Sequence, residues 1–198
     1  MIVKPAYAGI GRRSLPDDIR NFMTRFAYVS AAKGYMLRSG GAAGADDAFE
    51  QGARYYAKEQ GLPLSDVMQI FLPYSSFNGR SAFNDGYHNY SDFLQTDALR
   101  ARVMQLVDGI HPAPHKLKRA RPMMERNCMQ ILGPDLVSPS EFVICWTHDG
   151  DANTGGTGFA KKLALRHDIR IVELLCEDQR AEIEGGLEGM EVVRFLSR

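Results

Sequence analysis

Residues 142–146 read FVICW, a run that is apolar throughout and carries no polar member to mark a solvent face. A strand apolar on both sides is buried on both sides, and that is the position of an interior strand in a parallel sheet covered by helices above and below. The chain supplies the matching elements. Ile2 to Ala8 reads as a short buried strand that runs into Gly9-Ile10-Gly11. Ser14 is placed to cap a following helix, with Asp17 three residues on and Pro16 in the first turn. Ile19, Phe22, Met23 and Phe26 then recur at helical spacing as far as the stop at Lys33-Gly34.

The same order repeats. Tyr35 to Arg38 is a second strand, and Asp46 to Gln60 a helix with Phe49, Ala53, Tyr56 and Ala57 on one side. Met68 to Leu72 is a third strand, stopped by Pro73. Tyr74 to Tyr90 has no period and reads as a long loop over one end of the sheet, a length that is usually functional or disordered. Helices are expected over Asp92–Val107 and Pro122–Leu132, and another after FVICW as far as Arg166. Ile169 to Leu174 is a further strand, Glu177 to Glu188 an acidic surface helix, and Val192 to Leu196 a final edge strand. Alternation of this kind predicts an α/β fold: a Rossmann-like three-layer sandwich around a mostly parallel central sheet. With 198 residues, one domain spanning 1–198 is expected.

Composition excludes more than it selects. Twenty-four basic and twenty-four acidic side chains cancel, so total charge gives no argument for nucleic acid or a membrane. The three cysteines, Cys128, Cys145 and Cys176, have no metal-ligand spacing and suit a reducing compartment. The N-terminal apolar run is too short for a signal or a membrane span, which makes the cytoplasm the expectation. His111, His115 and His148 are not spaced as ligands on one element, so neither a metal nor another cofactor is expected.

Three glycine turns follow three expected strands: Gly9-Ile10-Gly11-Arg12-Arg13, Ser39-Gly40-Gly41-Ala42-Ala43-Gly44, and Thr154-Gly155-Gly156-Thr157-Gly158. In an open parallel sheet all strand C-termini share one edge, so these turns meet at one crevice. Glycine admits close backbone approach, and amides at the following helix starts favour an anion. Each turn alone is more often just a turn; together they point to a phosphate or ribose. No GxxxxGK[ST] loop occurs, and Arg12-Arg13 replaces the last glycine of the dinucleotide fingerprint.

These stretches carry a resemblance. AGIGRRSLP, LRSGGAAGAD, LPYSSFNG, ERNCMQILGPDL, PSEFVICWTHDG and GGTGFAKKLA, in this order, resemble the SLOG superfamily. It contains the LOG cytokinin-activating phosphoribohydrolases and the DNA-processing protein A family of single-strand DNA binders. The closer likeness is to small bacteriophage SLOG proteins labelled DNA-recombination-mediator-like. The resemblance implies a nucleotide-binding fold in a homo-oligomer, in the host cytoplasm if the gene is a phage's. Two departures bear on activity. Arg12 stands where the phage-type turn has a serine, and the GTxEE stretch that carries the catalytic glutamate of LOG enzymes has Ala160 and Lys161 here. The resemblance therefore implies binding, with sequestration of a nucleotide signal as one outcome.

Other carboxylates could supply chemistry. N-glycosidic cleavage passes through an oxocarbenium-like state that a nearby carboxylate stabilises, and Asp46, Asp47 and Glu50 sit at the start of a helix facing the crevice. Capping by one aspartate is the plainer reading. Tyr74, Phe77 and Asn78 are candidates to stack on and read a base, or to anchor a lid. Trp146, followed by Thr147, is a base platform or a core residue at the sheet edge. Arg126-Asn127 on a helix is placed to clamp a phosphate. Lys116, Lys118, Arg119 and Arg121 form a basic run that is either a solvated face or a track for single-stranded DNA. Nucleotide binding is thus the leading expectation, with a LOG-type N-glycosidic hydrolase, a single-strand DNA-binding factor and an assembly subunit as alternatives.

Overall fold

A computed structural model describes residues 4–148 and 155–188. The start of the first expected strand, Thr154 and the expected strand at Val192 to Leu196 lie outside the described residues. The strands are β1 (Ala6–Gly11), β2 (Met36–Ser39), β3 (Met68–Leu72), the hairpin pair β4 (Ser76–Phe77) and β5 (Arg80–Ser81), β6 (Tyr87–Asn89), β7 (Phe142–Trp146) and β8 (Arg170–Glu173). The helices are α1 (Asp17–Ala32), α2 (Ala45–Gln60), α3 (Asp97–Ile110), α4 (Arg121–Leu132), α5 (Gly155–Arg166) and α6 (Glu177–Glu188). Six strands form one parallel sheet in the order β6-β3-β2-β1-β7-β8. Helices α1, α2 and α6 pack on one face and α3, α4 and α5 on the other. The Rossmann-like three-layer sandwich is therefore observed, with a sheet that is parallel throughout among the described residues. No helix of these residues is long and apolar enough to cross a membrane.

FVICW is fully interior, flanked by β1 and β8, with Phe142 on one face and Val143 and Cys145 on the other. Phe142 stacks on Tyr7 at 5.5 Å between ring centroids, and Phe26 meets both rings edge-on. Alternation along β7 sends Phe142, Ile144 and Trp146 toward α1 and α2, and Val143 and Cys145 toward α4 and α5. Helices α1 and α2 approach closely because Gly52 has no side chain; a Cβ there would overlap the Thr24 carbonyl and lie 2.8 Å from Ala27 Cβ.

The helix starts depart from expectation in two places. Ser14 does not cap α1: the N-cap is Pro16, in extended conformation and without a side-chain cap, so the helix begins at Asp17. Asp17 and Asp18 supply negative charge at its N-terminus instead. Helix α3 starts at Asp97 rather than Asp92, because the Thr96 hydroxyl accepts from Leu99 N–H at 3.2 Å and Tyr90–Phe93 winds as a separate 3-10 turn.

The expected loop over 74–90 is the larger correction. It holds the hairpin β4–β5, turned through Asn78 and Gly79 at positive φ, and then β6, which adds a parallel edge strand beside β3. Tyr87 and Tyr90 anchor its far end as buried residues.

Candidate functional site

The strand order places β2 and β3 to one side of β1 and β7 and β8 to the other. The chain direction across the sheet therefore reverses between β1 and β7, and in open α/β sheets the crevice at the C-terminal ends of such a strand pair holds the ligand. A cleft of about 380 Å³ opens there. Its wall is built by Ile10, Gly11, Arg12 and Arg13 after β1, Ala42 and Asp46 from the second glycine turn and α2, and Gly155, Gly156, Thr157 and Ala160 at the start of α5. Helix α4 closes it with Met123, Met124, Arg126, Asn127 and Gln130.

Side chains and backbone bind the three turns to one another. Thr157 Oγ1 donates to the Gly11 carbonyl at 3.0 Å, and Asn127 Nδ2 to the Gly156 carbonyl at 3.0 Å. Ser39 Oγ donates to the Gly9 carbonyl at 2.7 Å, and the Ala45 amide to the Arg12 carbonyl at 3.0 Å. Asn78 Nδ2 donates to the Gly41 carbonyl at 3.1 Å. Gly44 is required by this closeness, since it has a positive φ and a Cβ there would overlap the carbonyls of Arg12 and Arg13.

The second turn does not offer its amides to a ligand in the way the sequence suggests. Asp46 Oδ2 accepts from Ala42 N–H at 3.1 Å, and Asp47 Oδ2 from Gly44 N–H at 3.2 Å, so the first carboxylates of α2 occupy them. The turn presents a carboxyl group to the cleft, that of Asp46. By contrast, α5 opens at Gly155 with its first glycines and Thr157 on the cleft wall. The first amides of a helix have no intrahelical acceptor, and the macrodipole adds positive potential at that end.

Arg126 is the cation of the inner wall. Its side chain is 8% exposed, lies 3.7 Å from Asp46 Oδ2, and makes no hydrogen bond among the described residues. It lies over Gly40, where any Cβ would fall inside the guanidinium. Burial pulls the Arg126 pKa down, with Asp46 opposing, and burial pushes Asp46 up, with Arg126 opposing. Both directions say that desolvation outweighs the attraction at this separation. Arg126 Nε and Gln130 Nε2, one helical turn apart on α4, are buried donors without a partner among the described residues, and an unmade bond of that kind costs about 1–3 kcal/mol. Arg12 and Arg13 are exposed at the rim and have no ion-pair partner among the described residues.

Of the residues expected to bind, Gly11, Arg12, Arg13, Arg126, Asn127, Gly155, Gly156 and Thr157 reach the cleft, and of the expected catalytic carboxylates only Asp46 does. The others are placed elsewhere, each for a physical reason. Gly9 lies under the Phe49 ring, 2.7 Å from where its Cβ would be, and Ser39, Gly40, Gly41 and Gly44 shape the turn from behind. Gly158 is buried in α5. Asp47 and Glu50 turn toward Arg80, which pairs with both, at 2.6 Å for Glu50. Glu50 also accepts from Tyr87 Oη at 2.6 Å, and burial with this bond pushes the Tyr87 hydroxyl up to about 12. Helical spacing put Asp46 and Glu50 on one face, but that face divides between two neighbours, α4 and the hairpin.

Asn78 holds the second turn, and Phe77 packs into the core margin. Tyr74 is partly exposed and donates to the Arg119 carbonyl at 2.8 Å. Trp146 is nearly buried and borders a neighbouring depression rather than the cleft. Thr147 is fully buried, its amide and hydroxyl both held by Glu173, at 3.0 and 3.1 Å. Lys161 joins the same carboxylate at 2.9 Å, which turns it away from the cleft and leaves Ala160 on the wall. In the basic run, Lys116, Lys118 and Arg119 are exposed, whereas Arg121 pairs with Asp108 and lies 3.5 Å from Glu125.

Sequence reasoning missed Gln130, Met123, Met124 and Ala42 on the wall, and Arg80 behind it. The Asn78-Gly79 pair between Phe77 and Arg80 was a hairpin signal that could have revealed the last of these. Comparison of the chain with family models, with curated proteins and with solved structures gave no match.

Proposed function

We propose that the chain binds a nucleotide or nucleotide-derived anion in the cleft between β1 and β7. The observation that carries this reading is the pair of buried donors on α4, Arg126 Nε and Gln130 Nε2, which have no partner among the described residues and are set in the wall of a cleft that the start of α5 also lines. A phosphate at the first amides of α5 would take charge from the helix end, from Arg126 and from Arg12 and Arg13. Ile10, Met123 and Met124 supply apolar wall for a ring, and the volume suits a small ligand. The test is native mass spectrometry of the purified protein, then incubation with a panel of nucleotides, beside Arg126→Gln. Retention of an intact nucleotide that Arg126→Gln loses supports the reading, and absence of binding across the panel refutes it.

A second reading, N-glycosidic hydrolysis, is favoured by Asp46 alone. Its carboxyl lines the cleft and burial raises its pKa, which suits a group that gives or takes a proton beside a sugar. Release of a free base in the same incubation, abolished by Asp46→Asn, would establish it; an unchanged nucleotide would exclude it.

A further inference from the structure

Beside the cleft, on the other side of the first turn, lies a second depression of about 580 Å³. Arg12 and Arg13 border both. The remaining walls are Leu15 and Pro16 on the approach to α1, and Trp146 and His148 at the end of β7. The two rings meet at 61° with centroids 6.2 Å apart, a corner in which a planar ring can stack on the exposed imidazole of His148 and touch the small part of Trp146 that reaches the surface. His148 is exposed, and Trp146, otherwise buried, contributes part of one wall. The two arginines between the depressions are exposed and without an acidic partner among the described residues.

We propose that this depression is a second ring-binding subsite, so that the chain takes a ligand with two ring systems joined through a diphosphate, such as a dinucleoside pyrophosphate, in preference to a mononucleotide. The inference rests on the ligand reading of the cleft and extends it. One ring lies against Met123, Met124 and Ile10, and the other against Trp146 and His148. Two adjacent cations at the ridge between the two depressions match a linker carrying two negative charges. A mononucleotide in the cleft leaves one arginine pair only half used and the aromatic corner empty.

Trp146 is the only tryptophan of the chain, so its emission reports this corner directly. The experiment titrates the full chain with adenosine monophosphate and with diadenosine diphosphate, and with the corresponding compounds of the other common bases. Calorimetry measures affinity and tryptophan emission measures occupancy of the corner. The expected result is that the dinucleotide alone changes emission and binds at least about tenfold tighter, the gain of one added base–aromatic stack. His148→Ala then brings the dinucleotide down toward the mononucleotide while leaving mononucleotide affinity unchanged. Equal affinities with unaltered emission, or the same emission change from both compounds, overturn the second subsite and leave the cleft reading standing. Failure of every compound to bind refutes the cleft reading, and this one falls with it.

Discussion

Asp46 Oδ2 and Arg126 Nη1 face each other across 3.7 Å inside the cleft wall, with side chains only 5% and 8% exposed. The gap exceeds a hydrogen bond, so the pair is held by charge alone while both groups are desolvated. Removing one partner should therefore cost more than removing both. Arg126→Met is expected to lower stability by about 3 kcal/mol, because it strands a buried carboxyl, and adding Asp46→Asn should recover most of that loss. Urea denaturation of the two single variants and the double variant measures it; costs that simply add would show that the two groups are not coupled.

The same carboxyl gives a pH signature. Burial raises the Asp46 pKa above its ordinary 3.8, so the native chain holds that proton more tightly than the unfolded chain. The contribution to stability is fully present below the ordinary value and is lost as pH rises through the raised one. Asp46→Asn does not titrate. The stability of the variant relative to the parent should thus climb with pH across that window and level off above it, as followed by urea midpoints at a series of pH values.

Gly40→Ala tests the seat of the arginine. A Cβ at this position would occupy the space of the guanidinium, so Arg126 must leave its place over the turn. Ligand affinity should fall by more than about tenfold, the scale of one charge-assisted hydrogen bond. The circular dichroism spectrum should stay native. Unchanged affinity would mean that the seat of Arg126 does not matter to the site.

Behind the second turn, Arg80 is the residue that keeps Glu50 and Asp47 out of the cleft. Its own burial would lower its pKa, but the bonds to these two carboxylates outweigh that, and the net direction is up. Arg80→Ala leaves the buried Glu50 with Tyr87 and a distant Arg54, and should cost about 3 kcal/mol of stability, with Arg80→Lys costing less. Hydrogen exchange should show the hairpin at 76–81 opening first in the alanine variant. Equal protection of the hairpin in variant and parent would contradict this role.

The exposed Lys116, Lys118 and Arg119 separate the small-ligand reading from single-strand DNA binding. Replacing all three by glutamate should leave nucleotide affinity within about twofold, since none lines the cleft. If the chain instead binds single strands, the parent will show a steep salt dependence in a gel shift and the triple variant will lose the shift.

How much of this was visible beforehand depends on what kind of information fixed it. FVICW, the β-α alternation and the convergence of the first and third turns are local patterns repeated in register, and they were legible. The Arg126-Asn127 pair was legible as a polar pair on an expected helix that could turn into the crevice, whereas its burial was not. The fates of Asp46 and Glu50 were not, since their spacing defines a helix face but not which neighbour stands opposite each end of it. Strand β6 escaped because Tyr-His-Asn shows no apolar alternation; backbone pairing with β3 makes it a strand. Thr147 was expected beside Trp146 among the binding residues, and only the fold brings Glu173 across from β8 to hold its hydroxyl and amide.

The carbonyls of Gly9, Gly11, Arg12, Gly41 and Gly156 are all engaged, by Ser39, Thr157, Ala45, Asn78 and Asn127. Three of those carbonyls, of Gly11, Arg12 and Gly156, belong to residues of the cleft wall, and each has one acceptor position already taken. Amides of the first two turns are taken as well, those of Ala42 and Gly44 by carboxylates and that of Arg12 by the Trp146 carbonyl, so the backbone donors of the wall are the first amides of α5, where a helix has no acceptor of its own. On the proposed reading, selectivity for the sign of the guest would rest on that one helix start together with Arg126. In a chain with a formal net charge of zero, that would be a local address for an anion.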